Sequence, residues 1–212
     1  MKTALPFLLL PSLLFSATPS LEEIEKQLAR RILTADQSLE EVQVYCENRV
    51  PDVPDFKKPE EWLKESTRIR LEVLDKIVFR GRNAKQWRDA KSKVVWDEVI
   101  EDLPGYRIRK LRFEILPGWW APALLYEPEK LSGKVPVIVN VNGHGRAGKA
   151  TEQKQIRCIN QAKRGMLALN VEWIGLGQFK NRVGHYQLAQ LDLCGESGLA
   201  PFFLNVSRAL DL

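Results

Sequence analysis

Two short apolar runs, Val135–Val141 and Met166–Val171, flank a glycine-rich loop and a polar stretch at about 152–164. This pattern constrains the fold more than any other in the chain. A nearly uninterrupted apolar run suits a strand buried on both faces, as in a parallel sheet. The polar stretch reads as a helix, and Gly165 ends it. Strand, helix, strand at this spacing predicts a βαβ unit.

A hairpin is expected just before it. From Tyr106 to Ile115 the residues alternate with strand periodicity, Pro117 and Gly118 supply a turn, and Trp119–Tyr126 reads as the returning strand. The fold class is therefore α/β. The preceding residues look helical. Ser20 and Ser38 each begin a Ser-Leu-Glu-Glu capping-box pattern, and Leu21, Ile24, Leu28 and Ile32 follow the first at helical spacing. After the break at Pro51 and Pro54, a long helix is expected from Pro59 to about Phe79, with Trp62, Ile69, Val73, Leu74 and Ile77 on one face and Gly81 as its stop. The expected divisions are 1–20, a signal peptide; 21–103, a helical N-terminal extension; and 104–212, a partial α/β domain.

The signal-peptide expectation rests on Lys2, the apolar run Ala4–Phe15, and the small residues Ser16, Ala17, Thr18 and Ser20. The run is shorter than the ~20 apolar residues of a membrane span. A secreted or periplasmic protein with no stable membrane anchor follows as an expectation. Three cysteines, Cys46, Cys158 and Cys194, would then allow one disulfide and one leftover thiol. They lack the paired spacing of a zinc site, and neither a metal nor an organic cofactor is expected.

The chain carries 32 Lys and Arg against 27 Asp and Glu, a net charge of +5. Residues 57–114 hold 16 basic and 11 acidic side chains, with Trp87 and Trp96 among them. Interleaved signs without a nucleic-acid fold motif favour a solvated, charge-mixed face, and no nucleic-acid partner is expected.

The loop Asn142–Thr151 (NGHGRAGKAT) admits two chemistries. Gly143–Lys149 fits the phosphate-loop spacing G-x-x-x-x-G-K between a strand and a helix. Against it, Ala150 stands where Mg²⁺ needs a hydroxyl, and Thr151 comes one position late. Alternatively this is an oxyanion loop. Glycines let backbone approach a substrate closely, and an N–H near a helix start favours developing negative charge. In that reading the backbone N–H of His144, with Gly143 and Gly145, is the catalytic element.

Several segments together resemble the first half of an α/β-hydrolase domain of the acetyl xylan esterase-like, dienelactone-hydrolase-like group. They are Ala121–Pro128 (APALLYEP), Val137–Gly145 (VIVNVNGHG) with Gly148 and Lys149, Glu172–Gln178 (EWIGLGQ), His185 with Tyr186, and Asn205–Leu212 (NVSRALDL). The last resembles the helix leading into a nucleophile strand. The resemblance implies an exported serine carboxylic-ester hydrolase acting on a small-molecule or carbohydrate ester, with the His144 loop stabilising the oxyanion. It also implies that the Ser of a G-x-S-x-G elbow lies on a strand this chain does not contain, making the chain truncated and inactive alone, with one edge of Val135–Val141 unpaired. The nearest imitation of the elbow is Gly195–Leu199 (GESGL), and no buried-strand pattern precedes it. A self-contained Ser197, His185 and Asp192 site is the weaker reading. Trp119, Trp120 and Trp173 are candidates for a sugar site, with hairpin or core packing as the plainer assignment. The alternative of another class is a non-catalytic extracytoplasmic binding module. The sequence leaves the oligomeric state open.

Overall fold

The computed structural model describes residues 18–180 and 184–212. The apolar run at Ala4–Phe15 lies outside the described residues. Among those described, no helix is long and apolar enough to cross a membrane. The chain divides into two compact units, Met1–Phe56 and Lys57–Leu212.

The first unit contains α1 (Leu21–Leu28) and α2 (Gln37–Glu47), neither with a buried residue. Ser20 caps α1 as its sequence predicts. Its Oγ accepts from the Glu23 N–H at 3.2 Å, and its own N–H donates to Glu23 Oε2 at 2.8 Å. The helix ends at Leu28, so Ile32 lies beyond it. The second box does not form at Ser38. There α2 starts two residues earlier than that box would set, at Gln37 after the N-cap Asp36, with no side-chain cap.

The second unit opens with α3 (Pro59–Val73), which continues as a π-helical turn over Leu74–Val78. The expected apolar face is largely solvated, since Trp62, Ile69, Val73 and Ile77 are all exposed. The helix is anchored at its end instead, where Val78 and Phe79 enter the core. Next comes α4 (Arg82–Asp89). Its first turn is capped from far along the chain: the buried Glu196 carboxylate accepts from the N–H groups of Asn83 at 3.0 Å and Ala84 at 2.9 Å. Gly81 precedes that helix at φ 98°, and a Cβ there would overlap the Glu196 carboxylate.

The sheet has five strands in the order β1-β2-β3-β5-β4. They are β1 (Val94–Leu103), β2 (Tyr106–Leu116), β3 (Trp119–Pro128), β4 (Val137–Asn140) and β5 (Leu167–Val171). The first three form an antiparallel meander, β3 pairs antiparallel with β5, and β4 runs parallel to β5. With α5 (Glu152–Lys163) between them, β4 and β5 make the expected βαβ unit. Strand β1 departs from the expected helical extension through residue 103. It is an edge strand with exposed charges and two register shifts, so its alternation is weak. The second compact unit begins at Lys57.

Both faces of the sheet are covered. On one, Phe113, Ile115, Ala121, Ala123 and Val171 pack with Phe79, Ala84 and Leu204. On the other, Ile108, Tyr126 and Ala168 pack with Cys158 and Ala162 of α5. The run around β4 was expected to be buried on both faces, but Val137 and Val141 are each more than half exposed. The reason is position: β4 forms one border of the sheet, and among the described residues it pairs only with β5. Toward the C-terminus come the short α6 (Gln190–Leu193) and α7 (Leu199–Ser207), the latter starting earlier than the expected helix at Asn205. Just beyond α7, the buried Arg208 donates to the carbonyls of Glu114 at 3.0 Å, Trp87 at 2.6 Å and Ala90 at 2.7 Å. All three cysteines are free, so the disulfide that export would allow is not formed.

Candidate functional site

Parallel strands β4 and β5 end side by side, and ligands of α/β sheets bind outside such carboxyl ends. The loop leaving β4 carries Gly143, His144 and Gly145. Its base is fixed by amides: Asn142 is buried, and its Nδ2 donates to Asn170 Oδ1 at 2.9 Å and to the Val171 carbonyl at 2.6 Å. Asn170 in turn donates to the Lys149 carbonyl at 3.0 Å. The Asn142 Oδ1 is buried and has no hydrogen-bond partner among the described residues.

His144 is exposed at the tip of the loop. The Gly145 N–H donates to the Gly143 carbonyl at 2.8 Å, and Lys154 Nζ donates to that same carbonyl at 3.1 Å. Gly145 is therefore engaged inside the loop as a turn donor.

The far end of the loop is closed by a carboxylate. Glu172, at the end of β5, is almost wholly buried and accepts from the Lys149 N–H at 2.9 Å, Lys149 Nζ at 2.8 Å and the Gln178 N–H at 3.1 Å. Gln178 Oε1 also accepts from Lys149 Nζ at 2.8 Å. Gly148 and Gly177 lie so close to the carboxylate that a Cβ on either would overlap it. Glycine backbone, peptide N–H groups and a lysine would suit a phosphate. Here the protein's own carboxylate fills that seat. The hydroxyl of Thr151 is likewise committed, donating to the Gly148 carbonyl at 2.9 Å. The phosphate-loop reading of Gly143–Lys149 fails on these contacts.

Ser197 does not stand on a strand-to-helix elbow. The preceding residues form α6 and a turn, and the Ser197 hydroxyl is buried, accepting from the Leu199 N–H at 3.3 Å. Asp192 pairs with Arg80. The His185 backbone starts a short 3₁₀ turn, and its side chain lies outside the described residues. The three do not share the carboxyl end of a strand, as a nucleophile elbow requires. Cys158 is buried in the α5 contact, and burial pushes its thiol up to about 11, which makes it packing rather than a nucleophile. Among the described residues, no group of three His, Cys, Asp or Glu side chains could hold a metal ion.

Two features escaped the sequence reading. One is Glu172, whose only linear signal is its placement between two glycine-bearing pairs, Gly148 with Lys149 and Gly177 with Gln178. The other is a cleft of about 730 Å³ walled by Trp87 and Trp119. Trp119 meets Phe179 edge-on at 6.1 Å, while Trp120 lies under the Arg112 guanidinium and Trp173 packs on Phe202 at 5.2 Å.

No protein-family model and no curated protein sequence matches the chain. Solved structures do. A Bacteroides fragilis protein assigned as an acetyl xylan esterase is 20% identical with a TM-score of 0.61, over 84% of this chain and 50% of that one. A methylesterase is 21% identical with a TM-score of 0.53, over 84% of this chain and 36% of that one. The chain thus spans half or less of the length of these two proteins. Over that span it has their α/β-hydrolase-like fold.

Proposed function

We propose that this chain carries the oxyanion side of a serine carboxylic-ester hydrolase that acts outside the cytoplasm on acyl esters of carbohydrates. One observation carries the reading: the Gly143–Gly145 loop stands at the carboxyl ends of β4 and β5, clamped by Asn142 on one side and by the Lys149–Glu172 pair on the other. A loop held this way presents backbone at fixed geometry, and fixed donors stabilise an oxyanion without reorganising. The fold shared with solved esterases supports it. The chemistry would be attack by a serine hydroxyl on the ester carbonyl, with the proton passing to a histidine and the negative oxygen held by the loop. These 212 residues contain no G-x-S-x-G pattern, so in this reading the nucleophile and its base are supplied in trans.

The test is turnover of a chromogenic acetate ester. The chain alone is expected to give none above background. Co-expression with a polypeptide supplying a G-x-S-x-G strand and its histidine should give turnover, and His144→Pro, which removes the N–H, should lower it by about 10²–10³-fold. Hydrolysis by the chain alone that vanishes in Ser197→Ala would overturn the assignment and move the nucleophile to Ser197.

A further inference from the structure

The β2–β3 turn extends past the end of β5. The last β3–β5 register pair on that side is Ala123 with Val171. Trp119 lies four residues further out along β3, about 13 Å at strand rise. Because β3 and β4 flank β5, the cleft at Trp119 and the His144 loop stand at the same end of the sheet, separated laterally by two strand spacings, or about 10 Å.

The cleft beside Trp119 has a distinct chemistry. Its floor is apolar, with Leu116 and Leu188 buried and Leu191 partly so. Two indoles, Trp87 and Trp119, form walls, and two amides, Gln187 and Gln190, stand at the exposed rim. Among the described residues, no ionisable side chain apart from the Cys194 thiol lines it. The walls are held from behind. Phe179 meets the Trp119 ring edge-on, and Arg208 holds the Trp87 carbonyl. A volume of about 730 Å³ lies within the range of small-molecule sites.

We propose that this cleft is a carbohydrate subsite for a neutral sugar ring. A pyranose has an apolar C–H face, which an indole covers, and a rim of hydroxyls that both donate and accept. An amide side chain also does both. A charged ligand finds no opposite charge among the described lining residues, and an acyl chain leaves the Gln190 amide without a role, while Gln187 Oε1 already accepts from the Gly184 N–H. The inference deepens the ester-hydrolase reading by naming where the alcohol part of the ester sits. It rests on that reading only for this role, because binding is read here without turnover.

Cys194 reports occupancy directly. It is exposed on the cleft, whereas Cys46 is exposed in the other compact unit and serves as the reference. The full chain is treated with a bulky maleimide, and modification at each cysteine is followed by peptide mass spectrometry. A neutral xylo-oligosaccharide should slow modification of Cys194 saturably and leave Cys46 unchanged. Trp119→Ala should weaken that protection about tenfold, and the rim variant Gln190→Leu, which touches no core contact, about threefold. Protection without turnover in the co-expressed enzyme would leave the subsite standing and remove the hydrolase reading. The subsite is overturned by absence of sugar protection in the unmutated chain, by protection undiminished in Gln190→Leu, or by protection from octanoate in place of the sugar.

Discussion

Glu172 holds Lys149 twice, its Oε1 accepting from the backbone N–H and its Oε2 from the side-chain ammonium. Both side chains are at least nine-tenths buried. Removing one charge leaves the other without compensation in a poorly solvated place. Lys149→Met should therefore destabilise the chain by about 3–5 kcal/mol, read by urea unfolding. The filled seat also predicts that Mg²⁺ and ATP do not raise the melting temperature of the unmutated chain. A saturable rise lost in Lys149→Met would restore the nucleotide reading.

Acid should act through Glu196. Backbone N–H groups, that of Asn83 first, hold its carboxyl below the usual 4.5. A carboxyl with a depressed folded-state value adds stability that is present above the unfolded value and lost as pH falls through the folded one. Thermal melts of the unmutated chain should fall as pH drops below about 4.5. Glu196→Gln should melt lower at neutral pH and show a shallower acid decline. An equally steep decline in that variant would move the acid sensitivity elsewhere.

Processing at the N-terminus should respect Ser20. Cleavage after Ala17 keeps the capping box of α1, whereas cleavage after Ser20 removes it, and loss of such a cap costs about 1 kcal/mol. N-terminal sequencing of protein exported from a bacterial host should therefore begin at Thr18. An intact Met1 on soluble cytoplasmic protein would remove the export reading.

Self-association should run through β4. Its outer edge pairs with no strand among the described residues, and its exposed Val137 adds apolar surface. Unpaired edges template contact with other chains, and a lysine on the edge opposes it. Size-exclusion chromatography should show concentration-dependent larger species that decline in Val137→Lys. A monomer at every concentration would mean the edge is protected.

The parts legible in the sequence were those where one physical signal dominates. The β2–β3 hairpin had alternation and a Pro-Gly turn, and β4, α5 and β5 had apolar runs around a polar helix. Strand β1 was hidden because a register shift between Trp96 and Val99 breaks its alternation, so Val94 packs with one core cluster and Ile100 with the other, and the exposed Asp97, Glu98 and Glu101 add no apolar signal. The burial of β4 was misjudged for a related reason: an apolar run reports what a strand could bury, and its place in the sheet decides what it does bury. At the site, the glycine loop was visible, but its clamp was not. Glu172 and Lys149 are 23 residues apart, and nothing local marks a carboxylate as a lysine's buried partner.

Arg208 joins segments that are distant along the chain. One guanidinium takes carbonyls from the last turn of α4, from the residue just after it, and from β2, while its own backbone continues α7. Such a node makes opening a shared event: displacing Arg208 releases three carbonyls into a poorly hydrated place at once. Amide hydrogens of α4 and α7 should then exchange as one cooperative unit, although more than a hundred residues separate them. The Trp87 wall of the cleft belongs to that unit, so the rigidity of a surface feature is set by Arg208, 121 residues further along the chain.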